Sequence, residues 1–154
     1  MWEKIFLKNF IKIYIKYSIH VALAVVALGL VSAHFLQVKL PFTLLIFIFS
    51  STLLGYNVVK FTTIHQDKLS QIIFSFSFLF LNGLAIVALV ITFFRLNSKQ
   101  QLLALATSFL VLLYGRTFPF QQTTLRNQQG MKLYWVALCW VMITVGLPSR
   151  EDNK

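Results

Sequence analysis

The sequence predicts an all-α fold: a polytopic transmembrane helical bundle of about five spans, led by a basic amphipathic helix at the membrane surface. Three observations predict it. Five stretches, Tyr17 to Val38, Leu40 to Val59, Leu69 to Phe94, Gln100 to Gly115 and Leu133 to Ser149, contain no Asp, Glu, Lys or Arg. A hydrocarbon core ~30 Å thick takes roughly 17–25 apolar residues per helix, so each is about long enough to cross it. Apolar residues make up 58% of the 154 and charged ones only 12%, against roughly 25% charged in soluble domains. Lastly, the 14 basic residues outnumber the 4 acidic ones, giving a net charge of +10, and they sit between the apolar stretches. That placement reads as membrane topology and contact with anionic headgroups or diphosphates, not as nucleic-acid binding.

Residues 1–18 open the chain as the interfacial helix. Lys4, Lys8, Lys12 and Lys16 recur every four residues and form one helical stripe, with Ile5, Phe6, Phe10, Ile13 and Tyr17 largely off it. In water such a stripe repels itself; at an anionic leaflet each Lys gains roughly 1 kcal/mol. Residues 19–148 form the five-span domain, with spans at about 19–38, 42–61, 70–94, 101–115 and 133–148. Pro41 falls at the start of the second span, where a missing N–H costs little. The fourth stretch is the shortest, begins Gln100-Gln101, and needs Lys99 to snorkel or the bilayer to thin. Arg116 to Lys132 is polar, carries Pro119 and Gly130, and reads as a loop. Residues 149–154 are a polar tail. Val31-Ser32-Ala33 has the small-residue pattern of a signal-peptidase site, but the charged leader is long and four apolar stretches follow, so no cleavage is expected.

Orientation follows from the distribution of Lys and Arg. With the N-terminus cytoplasmic, Lys4, Lys8, Lys12, Lys16, Lys60, Lys68, Arg116, Arg126 and Lys132 lie inside, and Lys39, Arg95, Lys99, Arg150 and Lys154 lie outside. Nine against five favours a cytoplasmic N-terminus, and the expected location is a cell inner (cytoplasmic) membrane. Gly29 with Ala33, and Ala104 with Ser108, are small-xxx-small pairs that let helix backbones approach.

Few residues offer chemistry. His20 and His34 stand 14 positions apart on one span, about 21 Å along its axis, too far to share a metal. The single cysteine, Cys139, reads as a small packing residue. The carboxylates are Glu3, Asp67, Glu151 and Asp152; only Asp67 is on an inner loop, beside Lys68. Two inner loops are otherwise cationic. Asn57, Lys60, His65, Arg116, Arg126 and Lys132 are the candidate ligand-binding residues, because Arg presents a planar donor fork to phosphate and Lys a compact charge. Asn82, in mid-span, calls for an interhelical hydrogen bond.

At Gly55-Tyr56-Asn57-Val58-Val59-Lys60 the chain resembles the UbiA superfamily of intramembrane prenyltransferases. The likeness extends to Ile19-His20-Val21-Ala22-Leu23-Ala24, to Tyr114 to Phe120, to Leu125-Arg126, to Gly130 to Ala137, and to Trp140 and Val145-Gly146-Leu147-Pro148. It implies transfer of a polyprenyl chain from its diphosphate, with Mg²⁺ stabilising the leaving group. Two departures limit that. The family's first metal motif places aspartates where Val58, Phe61 and His65 stand here, and its fold has about nine helices. Val and Phe cannot ligate Mg²⁺, so the expectation is a catalytically degenerate relative. It would bind an isoprenoid diphosphate or lipid headgroup at its inner face, with no metal site and no cofactor unless a partner supplies carboxylates. The alternative is a non-catalytic membrane subunit or scaffold that assembles with a partner or with itself.

Overall fold

The computed structural model describes residues 17–61, 76–115 and 131–150, together with Ile11, Tyr14 and Ile15. The described residues are helical with short turns and contain no strand. We number the helices α1 (Ile19–Phe35), α2 (Phe42–Phe61), α3 (Phe76–Phe93), α4 (Ser98–Gly115) and α5 (Met131–Val141). A π turn at Met142–Gly146 and a 3₁₀ turn at Pro148–Arg150 extend α5.

Helix boundaries follow local chemistry. Ser18 adopts a left-handed φ of 59° and its carbonyl accepts from the N–H groups of Val21 and Ala22, which starts α1. Gln37, at a φ of 56°, ends it. The first helix is therefore shorter than the uncharged stretch that contains it, because residues 36–41 are spent reversing direction ahead of Pro41. At the start of α4, Asn97 Oδ1 accepts from the Gln100 N–H at 2.9 Å while Gln100 Oε1 accepts from the Asn97 N–H at 3.2 Å. This reciprocal box satisfies two terminal donors and starts α4 three residues before the expected 101. The basic stripe of Lys4, Lys8, Lys12 and Lys16 lies outside the described residues.

The helices run alternately up and down. Phe47 of α2 meets Phe93 of α3, with ring centroids 6.5 Å apart, at one end; Asn57 of α2 meets Asn82 of α3 towards the other. Likewise Gln100 of α4 reaches Leu147 beyond α5, and Leu110 of α4 meets Trp135 of α5. One end of the bundle thus gathers the turns 36–41 and 94–97 and the end of α5; the other gathers the C-termini of α2 and α4 and the start of α5. We call these the closed and open ends.

At the centre is α2, packed on α1, α3 and α4. The main core, Val25, Leu44, Phe47, Ile48, Leu96, Ala104 and Leu147, fills the closed end. A smaller cluster of Ala22, Leu53 and Ala85 joins α1, α2 and α3 further along. Gly29 faces α2 with room for a methyl group: a Cβ there would meet Ile48 Cδ1 at 3.5 Å, an ordinary van der Waals contact. The outside of the bundle is apolar as well. Phe35, Phe94 and Leu102 are 80%, 77% and 71% exposed, and Phe80, Leu84, Val87 and Ile91 form an exposed face on α3. By length and composition α2 can cross a membrane, over the 19 residues Phe42–Lys60; the other apolar helices among the described residues are shorter.

A cavity between the second and fifth helices

Beyond Val141, the chain widens into a π turn, closed by the Leu147 N–H donating to the Met142 carbonyl at 3.2 Å. That turn and the 3₁₀ turn after it pack on α1, so this part of the chain belongs to the closed end. The first half of α5 takes a different neighbour. Its Trp135 Nε1–H donates to the Leu110 carbonyl of α4 at 3.2 Å, which holds it against α4. Between α2 and α5 the helices stand apart, and a cavity of about 450 Å³ opens there.

Two helical faces make its walls. From α2 come Ser51, Thr52, Gly55, Tyr56, Val59 and Lys60, and from α5 come Trp135, Val136, Cys139, Trp140 and Ile143, with Val111 of α4 between them. Both sets advance by alternating one- and three-residue steps, the spacing of a single helix face. Gly55 leaves room here, since a Cβ added to it would first meet Val111 at 3.8 Å. The volume lies within the ~300–1,000 Å³ range of small-molecule sites, which are typically apolar with a few placed polar groups. Polar groups occur along one line of α2: Thr52, Tyr56 and Lys60 lie on successive turns, with Lys60 towards the open end.

The sequence-derived candidates divide accordingly. Lys60 lies on the cavity wall. Asn57 is buried and turned to α3, where its Nδ2–H donates to Asn82 Oδ1 at 2.9 Å; Asn82 in turn donates to the Phe78 carbonyl. The mid-span amide expected to need a partner has one, and Asn57 supplies it. His65, Arg116 and Arg126 lie outside the described residues, as does the side chain of Lys132 in the first turn of α5. Val58, at one of the positions where the UbiA motif carries aspartate, is 46% exposed and is not on the cavity wall. Positions 58 and 61 follow a face of α2 roughly opposite the line through Thr52, Tyr56 and Lys60, at about 100° per residue. The histidines stay apart. His20 Nδ1 is 3.4 Å from the Tyr14 carbonyl, and the His34 ring lies edge-on to Phe35. Among the described residues no group of three potential metal ligands converges.

Sequence reasoning missed the aromatic wall. Trp135 and Trp140 sit five positions apart, within the last uncharged stretch, Leu133 to Ser149. Trp carries an N–H that needs an acceptor, so two of them on one helix face were a signal for a packed or lined interior.

No protein-family profile, curated protein or solved structure matches this chain.

Proposed function

We propose that this protein is a multi-pass membrane bundle that binds one anionic amphiphile, with its apolar chain in the α2–α5 cavity and its headgroup at the Lys60 end. The observation that carries the reading is the cavity itself: about 450 Å³, apolar along most of its length, with a lysine on its wall towards the open end. The membrane setting is supported by the exposed Phe, Leu, Ile and Val side chains on α3 and α4. Apolar surface this extensive has no stable place in water, and helices that are apolar all round belong to a protein interior or a bilayer.

An isoprenyl diphosphate and a single-chain lipid phosphate share the chemistry that fits. A binding role suits the residues better than catalysis: the positions that would have to carry metal-binding aspartates hold Val58, Phe61 and His65, and the cavity lies on another face of α2. The likeness to UbiA proteins remains a proposal resting on the motifs at Gly55 to Lys60 and Gly130 to Ala137. The inner-membrane location with a cytoplasmic N-terminus belongs to the same proposal and is supported by the Lys and Arg distribution.

The test is a titration of intrinsic tryptophan fluorescence in mild detergent, with farnesyl diphosphate in one arm and lysophosphatidic acid in the other. Saturable binding of either is expected, and its relative affinity identifies the source of the phosphate. Loss of a charge-assisted contact in Lys60→Ala should weaken binding roughly tenfold or more. No saturable response to either ligand, or equal affinity for the variant, contradicts the reading. The scaffold alternative draws on the same exposed apolar faces, and a dimeric protein mass by light scattering, with no ligand response, would favour it.

A further inference from the structure

Among the described residues, four buried hydroxyl groups share one pattern and Thr52 departs from it. Ser50 donates to the Ile46 carbonyl at 2.7 Å, Thr92 to Ala88 at 2.7 Å, Thr107 to Leu103 at 2.8 Å and Thr144 to Trp140 at 2.8 Å. Each is satisfied by the carbonyl one turn back, the usual refuge for a hydroxyl in an apolar helix. Thr52 is not. It is 6% exposed, and its Oγ1 has no hydrogen-bond partner. It is also a cavity-wall residue. An unmet buried hydroxyl costs roughly 1–3 kcal/mol, yet a valine would fill the same space without that cost. The exception is a residue of the cavity wall.

We propose that Thr52 is a recognition residue that selects an amphiphile with an oxygen in mid-chain, a hydroxyl or keto group, by donating its Oγ1–H to that oxygen. The proposal rests on the lipid-binding reading of the cavity and narrows it. Eight residues separate Thr52 from Lys60 on the same line of α2, about 12 Å along the helix. A chain whose anionic head lies at Lys60 therefore presents its middle, not its first carbons, to Thr52. In the present rotamer Oγ1 lies just behind the wall, with almost no accessible area. Threonine in a helix has two χ1 wells available, and on binding the hydroxyl would turn towards the ligand by one χ1 step. The rest of the wall includes Cys139, Ile143 and the indole of Trp140, and the neighbouring Ser51 already donates to the Ile48 carbonyl at 3.2 Å.

The experiment is an equimolar competition between stearate and 12-hydroxystearate for the full chain in detergent, read by native mass spectrometry as the ratio of the two adducts. Comparing that ratio between proteins cancels any difference in how the two acids partition into micelles. The wild type should favour 12-hydroxystearate roughly three- to tenfold, the equivalent of one net hydrogen bond. Thr52→Val should bring the ratio to that of non-specific adducts while still binding stearate, and Thr52→Ser should keep the preference. Thr52→Val removes only an unmet hydroxyl, so its melting temperature should equal or exceed that of the wild type. Equal occupancy in the wild type, or a preference that survives in Thr52→Val, overturns the proposal and leaves the cavity reading standing. Absence of both adducts overturns the cavity reading itself, and this proposal with it.

Discussion

The two ends of this bundle are built from the same residue types and packed differently. At the closed end Leu44, Ile48 and Leu147 are each no more than 1% exposed. There Gly146 brings the π turn so near α4 that a Cβ would stand 2.8 Å from Leu103 Cδ2. Gln100 also ties α4 to the Leu147 carbonyl at 3.3 Å. At the open end the corresponding volume is left empty, although valine, isoleucine and tryptophan line it. What separates them is the partner of α5: its π-turn extension docks on α1, whereas its first half leans on α4 through Trp135. An apolar interior is thus either core or binding site depending on where one helix is held.

The comparison makes its largest prediction for stability. Ile48→Ala, in the closed end, should cost about 2–5 kcal/mol, since it opens a void in a filled core. Val136→Ala, on the cavity wall, should cost under about 1 kcal/mol, because the space beside it is already open. Thermal unfolding of the two variants in the same detergent decides this, and equal losses would erase the distinction between the ends. Filling the cavity is the converse. Val136→Phe should reduce affinity for a single-chain lipid phosphate at least tenfold while shifting the unfolding temperature little, as measured by the fluorescence titration. A large fall in thermal stability with unchanged affinity would mean that the cavity is not the site.

A smaller effect is expected where the open end is held together. Asn57 and Asn82 form an amide pair between α2 and α3. If the bundle lies in a membrane as proposed, a double-mutant cycle with Asn57→Leu and Asn82→Leu should give a coupling of about 0.6 kcal/mol, and under roughly 1.7 kcal/mol, the range of interhelical hydrogen bonds there. The smallest change is expected from Trp135→Phe, which loses the bond to Leu110 and keeps most of the ring. It should cost on the order of 1 kcal/mol, seen as a modest drop in melting temperature.

Much of the fold was legible because charge is so costly in an apolar interior. Apart from Lys60, Lys99 and Lys132 near helix ends, the helices lie where Asp, Glu, Lys and Arg are missing, and Pro41 and Gln100 act at the helix starts as their chemistry dictates. Helix length was less legible. Turns such as 36–41 are as apolar as the helices beside them, and only backbone geometry at Gln37 separates the two. Of the two candidate site residues whose side chains are described, Lys60 lies on the cavity wall. Asn57 does not, because a single sequence does not say which neighbouring helix a buried amide will meet, and Asn82 sits across from it. The Thr52, Tyr56, Lys60 line was written in the four-residue spacing, but threonine and tyrosine in a helix are too common to stand out until an opposite wall is seen. The aromatic wall became meaningful only when α5 was placed across from α2.

The most direct measurement uses the wall as its own reporter. The tryptophans are Trp2, Trp135 and Trp140, so in a Trp2→Phe background the emission comes from the cavity alone. Stearate brominated at mid-chain would be titrated into that protein and into the same protein carrying Val136→Phe. The account predicts quenching that saturates at one lipid per chain in the first and is lost in the second. Quenching that rises without saturation, and equally in both, would show that those tryptophans meet only bulk lipid and would contradict it.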